Sequence, residues 1–149
     1  MRALRRWWSF LLYGGGGRLR DYEIRILDAV RASMSKADSN AVAQQLANLD
    51  RVKRLHDDRV VRLYFYRAKN LPRLANQGSE QIIARMVLKS GEKRIYAVAM
   101  GDHGLLSSLE FDKAPGALAG GGRPELAVCG RDRRGGGGRC RGRPCRPGR

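Results

Sequence analysis

Between Arg59 and Phe111 apolar and polar residues alternate in four successive runs. Side chains on a strand point to opposite faces in turn, so this period marks half-buried β-strands. In the first run Val61, Leu63 and Phe65 share one face, and Val60, Arg62, Tyr64 and Tyr66 the other. In the second, Ile82, Ala84, Met86 and Leu88 oppose Ile83, Arg85, Val87 and Lys89. In the third, Ile95, Ala97 and Ala99 oppose Arg94, Tyr96, Val98 and Met100. In the fourth, Leu105, Ser107, Leu109 and Phe111 oppose Leu106, Ser108 and Glu110.

The connections sharpen this picture. Ser90-Gly91-Glu92 and Gly101-Asp102-His103-Gly104 are short and glycine-bearing, as hairpin turns require. A parallel crossover needs about a dozen residues. The last three runs are therefore expected to form an antiparallel meander. The longer link from Tyr66 to Glu80 contains Pro72, Asn76 and Gly78. It reads as a loop able to carry the first strand to either edge of the sheet.

Upstream the period changes to that of a helix. From about Arg20 to Met34, Tyr22, Ile26, Ala29, Val30 and Ser33 fall on one stripe, with Leu27 and Met34 beside it. Asp21 and Glu23 lie in the first turn, where the helix dipole favours negative charge. Ser35 to Asn40 form a polar break rich in N-capping residues. A second helix is expected to follow, running to about His56 on Val42, Leu46, Leu49 and Val52. Gln44, Gln45, Asn48, Lys53 and Arg54 would form its wet side, His56 would favour its C-terminal dipole, and Asp57-Asp58 would turn the chain into the first strand. The expected fold is α+β: a two-helix hairpin on one face of an antiparallel sheet of about four strands.

Composition divides the chain into three. Residues 1–18 hold a basic and aromatic arm with the linker Gly14–Gly17. Residues 19–113 form the foldable domain. Residues 114–149 hold all three cysteines and 11 of the 19 glycines, and read as a disordered Gly/Arg-rich tail. The formal charge is +16, of which the tail contributes +7 and the domain +5, so the basic excess lies largely outside the domain. The tail resembles arginine–glycine segments that contact RNA, but it lacks their interleaved aromatics. Its residues are also those of a GC-rich gene read out of frame, and a frameshift or read-through product is the stronger reading of it.

Three readings compete for MRALRRWWSFLLY. It is an amphipathic arm resting on the domain, an interfacial membrane contact through Trp7 and Trp8, or a signal remnant or misassigned start. Its apolar run is far short of the roughly 20 residues of a membrane span. Three cysteines form neither a disulfide framework nor zinc-finger spacing, and a reducing cytoplasm is the expected location.

Candidate chemistry is sparse. His56 and His103 are the only histidines, and neither lies in a metal-ligand motif. His103 stands beside Asp102 in an expected turn. The carboxylates Asp57, Asp58, Glu80, Glu110 and Asp112 are not paired by spacing. No nucleophile elbow, phosphate loop or dinucleotide fingerprint is present. No cofactor is expected. Arg62, Tyr64, Arg85, Lys89, Arg94 and Tyr96 are different: they place basic and aromatic groups on strands, a combination that can hold single-stranded nucleic acid. An ordinary solvated face, with charges that discourage edge pairing, explains the same residues.

The segment His103-Gly104-Leu105-Leu106-Ser107-Ser108-Leu109-Glu110-Phe111, followed by Pro115, resembles the Gly-x-Leu-x-Ser-Leu-Glu-Phe-like final strand of small uncharacterised bacterial α+β proteins. The resemblance covers about residues 19–115 and departs by one additional Ser. It implies two helices, a meander and an end near Pro115, and it implies no activity. The leading expectation is a non-catalytic binding protein with a protein partner. The alternatives are a nucleic-acid binder using the basic sheet face and tail, and a small enzyme with a site near the Tyr66–Glu80 loop.

Overall fold

In the computed structural model, residues 17–67, 69–118, 125–129, 139–140 and 143–144 are described. The first 13 residues, three of the four linker glycines and most of the tail lie outside them. The first helix, α1 (Asp21–Ala32), opens where the Glu23 side chain turns back to accept the Arg20 backbone N–H at 2.7 Å. The second, α2 (Lys36–Ala47), is capped by Ser35, whose hydroxyl accepts the Asp38 N–H at 3.1 Å.

The expected continuation of the second helix to His56 does not occur. The chain leaves the helix at Asn48 and enters a strand, β1 (Arg51–Leu55). This hairpins through residues 56–59 into β2 (Val60–Tyr64). His56, Asp57 and Asp58 all have positive φ, so they form a hairpin turn rather than a helix end. His and Asp tolerate that backbone region better than most residues. The spacing of Leu49 and Val52 fits a helix, yet Val52 pairs with Leu63 across the hairpin and is buried.

The remaining strands are β3 (Gln81–Ser90), β4 (Lys93–Asp102), β5 (Leu105–Phe111) and β6 (Glu125–Cys129). The sheet therefore has six antiparallel strands in the order β1-β2-β5-β4-β3-β6, where about four were expected. The meander β3-β4-β5 is as anticipated. The first expected strand, β2, is at neither edge, because β1 lies outside it. β6 comes from a stretch whose composition predicted no strand; its Leu126 and Val128 pair with Leu88 and Met86 and pack against the core. A 3₁₀ turn, Pro115–Leu118, precedes it, with Pro115 buried. A two-stranded ribbon pairs β7 (Arg139–Cys140) with β8 (Arg143–Pro144).

One face of the large sheet is roofed by the two helices. Ile26, Leu27 and Val30 of α1 and Ala41 and Val42 of α2 join Val61, Leu63, Met86, Leu88, Ile95, Ala97, Ala99 and Leu109 in one core. Two bulges correct the expected faces. A register shift between Ile82 and Ala84 turns Ile83 and Ala84 both inward and leaves Ile82 43% exposed. A second shift, between Met100 and Gly101, sends Leu106 rather than Leu105 into the core alongside Leu109 and Phe111. On α1 the buried stripe is Glu23, Ile26, Leu27 and Val30, while Ser33 is exposed.

Two polar clamps hold these layers together, and both use residues expected to be solvated or merely dipole-favoured. Glu23 is fully buried. Arg54 grips its carboxylate at both oxygens, Nε to Oε1 at 2.9 Å and Nη2 to Oε2 at 2.7 Å. Arg54 also donates to the Arg18 carbonyl at 2.9 Å, and Gly17 bridges to Val52 beside it. A Cβ on Gly17 would come within 2.9 Å of the Arg54 guanidinium, so glycine admits the close approach. The second clamp is Gln45, also fully buried. Its Nε2 donates to the carbonyls of Pro72 (2.8 Å) and Gly104 (3.0 Å), and its Oε1 accepts the Leu106 N–H at 2.8 Å.

Removing one member of a buried pair leaves the other charge uncompensated. Glu23→Gln is expected to lower unfolding stability by about 3 kcal/mol in urea titration. A loss within error of zero would show that Arg54 finds water instead. Burial first, and then the charge of Glu23, raise the Tyr22 phenol above its ordinary value. A raised folded value favours the neutral phenol, so its contribution is complete below about pH 10 and is lost as pH climbs through the folded value. Tyr22→Phe should therefore flatten the fall of the urea midpoint above about pH 10; an unchanged slope would refute the assignment.

Candidate functional site

The face opposite the helices collects the basic strand residues. Alternation fixes this from the core side: Val61 and Leu63, Met86 and Leu88, and Ile95 and Ala97 point inward. Their neighbours Arg62 and Tyr64, Arg85 and Lys89, and Arg94 and Tyr96 point outward. All six of these sequence candidates thus lie on one face. Arg62, Arg85, Arg94 and Tyr96 are exposed, and Tyr64 and Lys89 are half-buried.

Register arranges them in two groups. On β1 and β2, Lys53 lies directly opposite Arg62, and Arg51 opposite Tyr64. On β3 and β4, Lys89 lies opposite Arg94, and Val87 opposite Tyr96. Between the groups run Val98 and Met100 of β4 and Ser108 and Glu110 of β5. The strands carrying Arg62 and Arg85 are three steps apart in the sheet order, on the order of 14 Å at the usual strand spacing. Arg51 and Lys53 lie on the same face, although the spacing of the apolar residues around them fits a helix. The alternation of Arg51-Val52-Lys53-Arg54-Leu55 was the available clue, and it is short and carries only two apolar residues.

Lys53–Arg62 and Lys89–Arg94 are like-charge cross-strand pairs. Such pairs destabilise a sheet, whereas opposite charges at the same positions stabilise it. None of these four side chains has an ion pair with a carboxylate among the described residues. Glu125 is the register neighbour of Lys89 on β6, and Glu110 accepts the Ser108 hydroxyl at 3.2 Å. Each basic pair has aromatic company. Tyr96 is 44% exposed, and the Asp112 carboxylate accepts its N–H at 2.8 Å. Tyr64 stacks on Tyr66, with ring centroids 5.5 Å apart and planes 15° off parallel.

The Tyr66–Glu80 loop crosses the sheet end from β2 to β3, passing the β4–β5 turn. Leu74 donates to the Gly104 carbonyl at 2.9 Å, the Gly78 carbonyl accepts the His103 N–H at 3.0 Å, and Arg73 donates to the His103 carbonyl. The buried Asp38 accepts the Ala75 N–H at 2.9 Å. Gly104 has φ +82°, and a Cβ there would fall 2.8 Å from Arg73 Cβ. These contacts tie the loop down. Two of the other candidate acids have structural partners: Asp58 pairs with Arg20 at 2.5 Å, and the Asp112 carboxylate accepts the Tyr96 N–H. His103 Nε2 stands 3.6 Å from Asp102 in the exposed turn. Among the described residues no group of three or more His, Cys, Asp or Glu is placed to hold a metal ion. No helix among them is long and apolar enough to cross a membrane.

No family model, curated protein or solved structure matches the chain.

Lys53→Glu turns one repulsive cross-strand pair into an attractive one. It should raise stability by about 0.5 kcal/mol, read as a higher urea midpoint at low salt, with the gain shrinking as salt is added. A lower midpoint would mean that the Lys53–Arg62 repulsion is not felt.

Proposed function

We propose that the protein is a non-catalytic binding module whose basic sheet face receives a polyanionic partner. The observation that carries this reading is the pair of like-charge cross-strand couples, Lys53–Arg62 and Lys89–Arg94, on the same face. Repulsion of this kind costs the free protein stability, and a string of negative charges laid across both couples relieves it. Arg51 and Arg85 extend the two groups along the same face. Four Arg in residues 1–18 and nine in residues 114–149 add sequence-independent attraction for the same partner. The loop reading of an enzyme has less behind it, since the loop's polar contacts anchor backbone to backbone and to α2.

The test uses the full chain and a fluorescein-labelled single-stranded oligonucleotide, read by anisotropy at rising salt. Arg62→Gln combined with Arg94→Gln should weaken binding and reduce the salt slope by about 0.7 for each phosphate contact removed. Unchanged affinity and slope in that variant would place all binding in the terminal segments and overturn the role of the sheet face.

A further inference from the structure

The two like-charge couples stand well apart on the sheet, and an acid stands between them. Arg62 pairs with Ser108, and Ser108 with Met100, so these three share one row across the face. Lys53 completes that row on β1. Arg94, with Lys89 opposite it, lies roughly 20 Å from Met100 along β4 at the usual strand rise. Sideways, β2 and β4 are separated by β5 alone, about 10 Å at the usual strand spacing. The backbones of Arg62 and Arg94 are therefore on the order of 20 Å apart. Glu110 sits on the intervening β5, in register with Val60 and Val98, and so falls between the rows of the two couples. It points outward because Leu109 and Phe111, on either side of it, are core residues. Its carboxylate is exposed, accepts only the Ser108 hydroxyl, and has no ion pair among the described residues. Asp112 follows on the same side of β5, with its carboxylate on the Tyr96 N–H.

This spacing selects among anions. A compact anion reaches one couple and gains nothing from the other. A chain that reaches both makes its second contact as an intramolecular event, at a high effective concentration. Charges pressed flat across the middle would meet Glu110 and be repelled. Each couple joins an ammonium to a guanidinium, a donor set suited to phosphate oxygens. We infer that the couples are two half-sites for one flexible linear phosphate chain, long enough to hold both at once and free to lift its middle over Glu110. This rests on the binding-module reading and adds to it a minimum length and a flexible backbone. A duplex is stiff over about 150 base pairs, so it cannot bow away from Glu110 while holding both couples.

The experiment measures anisotropy on the full chain with oligodeoxythymidines of about 3 and about 12 nucleotides; at about 3.4 Å per charge the first falls short of the gap and the second exceeds it. On the longer strand Arg62→Gln and Arg94→Gln should each weaken binding about fivefold, and together by about the product of the two. On the shorter strand either substitution alone should cost at most about twofold, because the other couple still offers a site. A duplex of the longer length should respond as the short strand does. Glu110→Gln should tighten the longer strand about twofold at low salt. Competition by inorganic polyphosphate of about 20 phosphates identifies the source of the chain: displacement assigns the site to phosphate chains in general, and resistance assigns it to a nucleic-acid strand. Equal losses on both strand lengths, or weaker binding in Glu110→Gln, would overturn the bridged arrangement while leaving a polyanion module standing. Absence of any salt-sensitive binding that depends on Arg62 and Arg94 would overturn both.

Discussion

The inward turn of Arg54 onto Glu23 sets the geometry of the site. Arg54 occupies a core-side position on β1, where an apolar residue would ordinarily sit, and a buried carboxylate on α1 makes that position tenable. Because strand side chains alternate, an inward Arg54 obliges Lys53 to face out. Antiparallel register then brings Lys53 opposite Arg62. The same carboxylate accepts the Arg20 N–H and so helps to begin α1. One acid thereby starts a helix, seats the hairpin beneath it and builds half of the basic surface on the far side.

Gln45 performs the complementary task at the other end of the sheet. A six-stranded order with β2 between β1 and β5 requires the chain to pass over the ends of β5 and β4 before starting β3. That passage exposes backbone groups that a strand ladder cannot satisfy. Gln45 supplies donors to Pro72 and Gly104 and an acceptor to Leu106, and Asp38 takes Ala75. The helix hairpin consequently holds the crossing loop as well as covering the core. The strands carrying Arg62 and Arg85 are then fixed in separation, with Glu110, Val98 and Met100 between them.

A surface that sets lysine against arginine twice over gains nothing for the isolated sheet. The cost of each couple is small, under about 1 kcal/mol, because both are solvated and screened. Such a cost is tolerable in a sheet with a continuous core and two buried polar clamps.

The sequence by itself determined the α+β class, α1, the meander and six residues of the basic face, because each is a local matter of periodicity and turn chemistry. It read β1 as helix, since Leu49 and Val52 keep helical spacing and Arg54 shows no sign of being buried. Arg51 and Lys53 were lost to the site for the same reason. The faces of Ile82, Ile83, Leu105 and Leu106 were misread because a bulge inverts alternation without leaving a mark in the residues themselves. Glu23 and Gln45 read as polar helix residues, and only the positions of Arg54, Pro72, Gly104 and Leu106 in space made them buried clamps. Which charges face each other across a sheet is decided by strand order and register. Those depend on contacts between residues far apart in the chain, which periodicity cannot encode.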